Sequence, residues 1–174
     1  PTSWDNAILQ GPHIYVSTPL YKQPNETMRH FLDWTSTDLE TLPANAQPIT
    51  QYKPAGDRTT YDRLYTHWDN SPARDHYRIA WRTQVPLTGE RTLTPSIIPP
   101  GSAHVDGLYS AGSPRQHEDG LVLASGALSS LLVDFYTRSR GFSHIRSSAA
   151  NSLPTVSPAS PLALRVRYRT LRLN

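Results

Sequence analysis

Proline is the residue that most limits what this chain can fold into. Sixteen prolines are spread over its 174 residues, and each lacks the backbone N–H that a helix interior or a central strand donates. Regular elements must therefore be short and joined by irregular connections. Hydrophobic residues still make up 37% of the chain, which suits one ordinary hydrophobic core. We expect a single domain over residues 1–174.

The chain has no cysteine, which excludes disulfides and thiolate metal ligands and is compatible with a reducing cytoplasm. No apolar run approaches the roughly 20 residues of a membrane-spanning helix, and the N-terminus lacks a signal-peptide pattern. We therefore expect a cytoplasmic protein with no membrane partner. The net charge of +3 permits a polyanionic partner, although 14 acidic residues make the surface mixed. Because the sequence starts at Pro1 and ends on "RYRTLRLN", we expect a fragment of a larger protein.

Short alternating patterns predict several strands. They cover residues 12–20 ("PHIYVSTPL"), 76–82 ("HYRIAWR"), 91–98 ("RTLTPSII") and 104–110 ("HVDGLYS"). In the second of these, Tyr77, Ile79 and Trp81 are predicted to face the core, with His76, Arg78 and Arg82 on the other face. The glycine of "VPLTGE" suits a hairpin turn, and the double proline at 99–100 ends the returning strand.

One long helix is predicted over residues 119–141 ("DGLVLASGALSSLLVDFYTRSRG"). Its apolar residues recur at spacings of three and four: Leu121, Ala124, Leu128, Leu131, Leu132 and Phe135. Gly141 suits the C-terminal cap of this helix. A short helical turn is predicted over residues 35–43, with Ser36 or Thr37 as its N-cap. The C-terminal segment "PLALRVRYRTLRLN" fits a helix or a strand. The predicted fold class is α+β, a mostly antiparallel curved β-sheet packed by one long helix, with long irregular proline-rich connections.

The motifs of familiar catalytic sites are missing. The sequence has no G-x-S-x-G and no phosphate-binding glycine motif, and its seven histidines lack metal-ligand spacing. We therefore predict no catalytic residues and no metal site. One enzymatic alternative stays open, a hydrolase that uses Ser110 or Ser113 with His104 or His117.

Three consecutive blocks of the sequence resemble a known family. They are "GPHIYVSTPLYKQP", "YRIAWRTQVPLTGERTLTPSIIPPGSAHV" and "LASGALSSLLVDFYTRSRGFSHIRSSAANSLP". In this order they are similar to the target recognition domains of large adenine-N6 DNA methyltransferases and restriction–modification proteins of the Eco57I or TaqI-like type, which serve phage defence. The resemblance extends over residues 4–174 and implies sequence-specific recognition of double-stranded DNA.

In that family a separate domain binds S-adenosylmethionine and carries an Asn-Pro-Pro-Tyr-like catalytic loop. This sequence contains neither Asn-Pro-Pro nor a cofactor-binding glycine motif, and it lacks a D then E-x-K nuclease cluster. The resemblance therefore implies a non-catalytic fragment without a cofactor of its own. S-adenosylmethionine and the methyltransferase domain are expected in the parent protein.

The resemblance also indicates which side chains face DNA. Arginine can pair with guanine, glutamine with adenine, and glutamate can accept from cytosine. The expected base-reading residues are Arg82, Gln84, Glu90 and Arg91. The expected backbone-contacting residues are Arg138, Arg140, His144 and Arg146, together with Lys22 and Arg58. Each has a plain structural alternative, such as a Glu90–Arg91 pair or charges that complement a helix dipole.

A protein-interaction module is the alternative function. In that hypothesis residues 21–75 and the C-terminal arginines dock another subunit. The salt dependence of binding separates the two hypotheses, because DNA binding releases counterions from neutralised phosphates and an apolar protein interface does not.

Overall fold

The computed structural model describes residues 3–86, 88–115 and 118–174. The strands are β1 (Ile8–Leu9), β2 (Lys22–Pro24), β3 (Trp34–Ser36), β4 (His67–Trp68), β5 (Ser71–Pro72), β6 (Arg78–Arg82), β7 (Ser96–Ile98), β8 (Ala103–His104) and β9 (Leu108–Ala111). The helices are α1 (Arg58–Leu64), α2 (Glu118–Leu128), α3 (Leu131–Ser139), α4 (Ser147–Asn151) and α5 (Ala163–Leu173). Short 3-10 turns cover Trp4–Asn6, Gly11–His13 and Ala73–Asp75. This mixture of helices and small sheets is an α+β fold, as the sequence predicted.

A three-stranded antiparallel sheet with the order β7–β6–β9 holds the largest set of strand contacts. Ala80, in the middle of β6, lies opposite Ser96 of β7 and Ser110 of β9. The predicted antiparallel pairing of the two strands and the added third strand are present, but β7 covers only the end of residues 91–98, so a long connection over residues 83–95 replaces the tight hairpin that was predicted. The predicted turn "VPLTGE" includes Leu87, which lies outside the described residues.

Strand β6 is buried on both of its faces, and this corrects the prediction of a polar outer face. Ile79 and Trp81 pack with residues of the helical layer, whereas Ala80 packs with the N-terminal segment. Arg78 is buried on that second face, and His76, which precedes the strand, is also buried instead of pointing to solvent. Tyr77, which was predicted to face the core, is half-exposed. The sheet is thus the middle layer between the helices and the N-terminal segment.

The prediction of one curved sheet is wrong. The remaining strands form separate pairs, β2 with β3 and β4 with β5 in antiparallel register, and β1 with β8 in parallel register. Proline explains part of the division, because Pro24 ends β2, Pro72 ends β5 and Pro99 follows β7. Each pair is too short to extend into its neighbour.

Residues 12–20 do not form the predicted strand. The chain passes through the Gly11–His13 turn and then folds back, with Tyr15 paired to Thr18 and a positive φ of 58° at Ser17. The helical turn predicted over residues 35–43 is also wrong, because β3 occupies its start. The helix of this region is α1, whose N-cap Asp57 accepts a hydrogen bond from Thr60 N at 2.9 Å.

The predicted long helix is two helices, α2 and α3, which are bent by 63° at the break between them. Ser130 caps the second one, because its side-chain oxygen accepts a hydrogen bond from Val133 N at 3.2 Å. Gly141 has the positive φ of 66° expected of a C-terminal cap, and its N–H donates to Arg138 O. Among the described residues no single helix is long and apolar enough to cross a membrane; α2 and α3 reach that length and composition only as a bent pair.

The C-terminal segment is helical, and α5 packs against α2. A Cβ on Gly126 of α2 would lie 2.8 Å from Val166 Cγ1, and closer still to Thr170 Oγ1, so glycine permits this close approach. The face of α5 that is turned to α2 is made of small or medium side chains. Leu164, Tyr168 and Leu171 lie on the exposed side of α5.

Candidate nucleic-acid interface

A groove with a volume of about 550 Å³ lies beyond the C-terminal end of β6. Arg82 and Gln84 line one wall, and His144 lines another. Gly11 and Gly107 come from two further loops, so four separate parts of the chain meet here. The structure therefore brings together three residues that the sequence proposed for DNA contact.

Backbone hydrogen bonds hold the two main walls of the groove together. Val85 N donates to Ser143 O at 3.1 Å, and Ile145 N donates to Thr83 O at 2.8 Å. Gln84 and His144 consequently face each other as an isolated antiparallel bridge. On the other side Thr83 N donates to the carbonyl of Gly107 at 3.1 Å. The groove is thus an extension of the central sheet and not a gap between mobile side chains.

Arg82 is the half-buried cation of the groove. Its Nε donates to the carbonyl of Gly11 at 2.8 Å, and burial lowers its pKa from the ordinary value. Within the part of the chain that the structure describes, its terminal nitrogens have no hydrogen-bond partner. The hydrogen bond to Gly11 therefore fixes the Nε of Arg82, while its terminal nitrogens are able to donate to a ligand.

Gln84, Glu90 and His144 are exposed. The His144 ring lies 3.4 Å from the hydroxyl of Ser143 (Nδ1 to Oγ). Glu90 is held through its backbone, since its carbonyl oxygen is 3.5 Å from Arg138 Nη2, and its carboxylate stays at the surface. All three side chains are open to a large ligand.

Arg91 is placed inside the protein, unlike the other three proposed base readers. Its side chain is 15% exposed, and its Nε lies 3.3 Å from Asp134 Oδ1. Its Nη2 donates to the carbonyl of Ser129 at 2.8 Å. These contacts fix the start of the 91–95 segment to α3, so Arg91 supports the surface and does not reach a base in this conformation.

Arg138 also acts as a support. Its Nε donates to Thr92 Oγ1 at 2.9 Å and its Nη2 to Gly89 O at 2.8 Å. Arg140 lies over the rings of Tyr136 and Phe142, with its guanidinium carbon 5.9 and 5.8 Å from their centroids. Both arginines lie at the end of α3, as the sequence placed them.

Arg146 forms an exposed ion pair with Asp106, with 3.3 Å between Nη2 and Oδ2. Asp106 is adjacent to Gly107 of the groove, so Arg146 belongs to the groove rim. Lys22 begins β2 in the N-terminal segment, with its Nζ 5.5 Å from the centroid of the Tyr21 ring. Both cations remain at the surface.

Arg58 is surrounded by carboxylates. It contacts Asp5 at 3.3 Å, Asp62 at 2.5 Å and Asp75 at 3.4 Å. Asp75 precedes β6, whereas the groove follows it, so this cluster lies toward the other end of the strand. Three carboxylates around one guanidinium make a phosphate contact here unfavourable.

Two tyrosines near the groove were missed by the sequence reasoning. The Tyr15 and Tyr21 rings stack with centroids 4.5 Å apart. Burial raises the pKa of Tyr15, and the nearby charge of Glu90 raises it further while Arg91 and Arg82 oppose the shift. Tyr15 therefore lies close to three of the proposed base readers. Its position could not be foreseen, because residues 12–20 were predicted as a strand and not as a fold-back turn.

The alternative hydrolase pair of Ser110 and His104 is a real contact. His104 Nε2 lies 2.8 Å from Ser110 Oγ, and its Nδ1 lies 3.1 Å from Val105 O. Burial lowers the pKa of His104. The buried Arg78 also reaches Ser110 Oγ at 3.4 Å and the Tyr65 hydroxyl at 3.2 Å.

This network lies between the sheet and the N-terminal layer, and neither described cavity is lined by Ser110 or His104. Ser113 lines a different cavity, and His117 lies outside the described residues. The contact satisfies the hydrogen-bonding groups of two part-buried side chains. In the described ranges no group of three or more histidine or acidic side chains is arranged to hold a metal ion.

No protein-family model matches this chain, and a search of curated proteins finds no significant match.

Proposed function

We propose that this chain is a recognition domain for double-stranded DNA, without catalysis of its own, that belongs to an adenine-N6 DNA methyltransferase or restriction–modification protein. The observation that carries the proposal is the groove, where Arg82 and Gln84 from one segment and His144 from a distant segment line one cleft. S-adenosylmethionine and the methyltransferase domain belong to the parent protein in this proposal.

The side chains divide into three roles. Arg82, Gln84 and Glu90 carry the donors and acceptors that distinguish bases in a major groove. Arg91 and Arg138 hold the loop that presents Glu90. Arg140 and Arg146 contact phosphates through their charge and His144 through a ring N–H, and such contacts orient a protein on the duplex without reading its sequence.

Removing one base reader should reduce sequence preference more than overall affinity. We expect Gln84→Ala to lower the affinity for the preferred duplex by about 1–3 kcal/mol, because a bidentate glutamine–adenine contact is lost, and to change non-specific binding little. The measurement is fluorescence anisotropy with duplexes chosen from a random library by the wild-type chain.

Gln51→Ala is the matched control, because Gln51 is also exposed and lies outside the groove. The two glutamine variants should differ in their preference for the selected duplex. If both variants bind every tested duplex with equal affinity, Gln84 does not read a base. If Gln84→Ala weakens binding to selected and random duplexes alike, Gln84 contributes to affinity and not to sequence preference.

A protein-interaction module is the second candidate, and a separate observation favours it. Leu131, Leu132 and Phe135 of α3 are each at least 70% exposed, and α5 adds the exposed Leu164 and Tyr168. Clusters of large exposed apolar side chains mark many protein interfaces. Titration with duplex at several salt concentrations separates the candidates, since each phosphate contact lowers the logarithm of affinity by about 0.9 per logarithm of salt.

A further inference from the structure

A second cavity lies at the other end of the central sheet. The start of β6, the end of β9 and the first turns of α2 enclose it, with a volume of about 340 Å³. Ile79, Leu121 and Ala124 give it apolar walls. Small-molecule sites in proteins span roughly 300–1,000 Å³ and are mostly apolar with a few polar groups, so this cavity is large enough for one aromatic ligand.

His76 gives the cavity a buried polar group. The residue is 8% exposed and lines the cavity. Its Nε2 is engaged by Ser71 Oγ at 2.7 Å, whereas Nδ1 is buried and, within the described residues, has no hydrogen-bond partner. Buried polar atoms are nearly always hydrogen-bonded in proteins. Nδ1 is itself closed to solvent, so a ligand in the cavity contacts the ring of His76 and not this nitrogen.

Carboxylates and an aromatic ring add a chemical preference. Asp75 and Glu118 are among the lining residues, and Arg58 neutralises only the first of them, at 3.4 Å. The Trp68 ring lies against the His76 ring with centroids 5.6 Å apart. Because a carboxylate and aromatic faces both attract cations, this surrounding favours a positively charged ligand.

Gly112 lies between Trp68 and the cavity, and because glycine has no side chain the two are close together. A Cβ at this position would lie 2.9 Å from Trp68 Cη2 and 3.0 Å from Tyr77 O. Gly112 itself lines the cavity. A ligand bound there would therefore change the environment of the Trp68 indole, which provides a spectroscopic readout.

We propose that this cavity binds a small aromatic amine, with its ring between Ile79, Leu121 and Ala124 and its ammonium group toward Glu118. The site is independent of the groove, because the two cavities lie at opposite ends of β6 and share no lining residue.

Three probes test the chemistry of the site on the whole chain. Tryptamine carries the ammonium group, indole lacks the charge, and indole-3-acetate reverses it. We expect saturable binding of tryptamine with shifts of the Trp68 indole resonance in ¹⁵N-labelled protein. Binding should be about ten-fold weaker for indole-3-acetate, since a carboxylate would face Glu118 and Asp75.

Two variants test whether tryptamine binds in this cavity. Ala124→Phe should abolish tryptamine binding by filling the cavity, whereas Ser148→Phe, at an exposed position of α4, should not. Glu118→Gln should weaken tryptamine binding and leave indole binding unchanged, with the exposed Glu26→Gln as its control. If Ala124→Phe does not fold, as judged by circular dichroism, the Glu118→Gln comparison decides.

The proposal is overturned if no probe binds saturably up to about 1 mM, or if tryptamine binding survives both Ala124→Phe and Glu118→Gln. Equal binding of tryptamine and indole-3-acetate would overturn the assigned preference for a cation. None of these outcomes bears on DNA binding, which is measured with duplex at the other end of the sheet.

Discussion

Replacing Asp134 with alanine will lower the free energy of unfolding by about 3–5 kcal/mol, the usual cost of removing one partner from a buried ion pair. Asp134 is 5% exposed. Its Oδ1 accepts hydrogen bonds from Thr92 N and Leu93 N, both at 2.8 Å, and lies 3.3 Å from Arg91 Nε. The change leaves two buried amides and a guanidinium without their shared acceptor. Urea unfolding followed by circular dichroism measures the loss.

Asp119→Ala is the matched control for this prediction. Asp119 also forms an ion pair, with Arg167 at 2.5 Å, but its side chain is 76% exposed. The expected change in unfolding free energy is within about 1 kcal/mol, because solvent screens exposed pairs. A similar loss in both variants would mean that the Asp134 contacts contribute no more than a surface pair does.

Replacing Trp81 with alanine will produce a loss of similar size, about 3–5 kcal/mol. Trp81 is buried in the cluster that joins the sheet to α2 and α3, with Leu93, Val133 and Ile145 around it. Truncation to alanine leaves a large cavity there. Thermal and urea unfolding both measure the effect, and the two should agree if the chain unfolds in one step.

Trp81→Phe separates packing from hydrogen bonding. Trp81 Nε1 donates to the carbonyl of Ile145 at 2.9 Å, and phenylalanine removes this donor while it retains most of the ring. We expect a loss of about 1–3 kcal/mol from the unpaired buried carbonyl. Because Ile145 follows His144, the same variant should weaken DNA binding by loosening the groove wall. Trp4→Phe, at a half-buried position away from this cluster, should change neither quantity as much.

The local sequence pattern was sufficient for the elements whose partners are near in sequence. The alternation around Ile79 and Trp81 predicted β6, and the double proline correctly marked the end of β7. Gly141 was recognised as a helix cap because a positive φ is easily adopted by glycine. The helical spacing of Leu164 and Tyr168 agreed with α5, although the strand interpretation had been kept open.

The sequence pattern gave wrong predictions where tertiary contacts determine the structure. Apolar spacing runs continuously through the break between α2 and α3, so it did not reveal that Ser130 starts a new helix. It also predicted that Leu131 and Phe135 would pack on the sheet, whereas both are exposed. Periodicity indicates which residues share a face but does not identify what covers that face.

The sequence predicted which types of residue the candidate site contains, but it did not predict how they are arranged. Arg82, Gln84 and His144 were selected as polar groups beside apolar strands, but their meeting depends on hydrogen bonds between segments far apart in the chain. Arg91 was selected for the same reason as Arg82. Its carboxylate partner, Asp134, lies on a distant helix, and nothing in the local sequence around Arg91 indicates that pairing.

The measurement that tests the central claim most directly is photo-crosslinking from the groove to DNA. A benzophenone amino acid at position 84 and, as control, at position 51 would be irradiated with a labelled duplex at low salt. The account predicts a crosslink from position 84 that disappears as salt rises, and none from position 51. Duplex binding without a crosslink from position 84, equal crosslinks from both positions, or no duplex binding at low salt would contradict it.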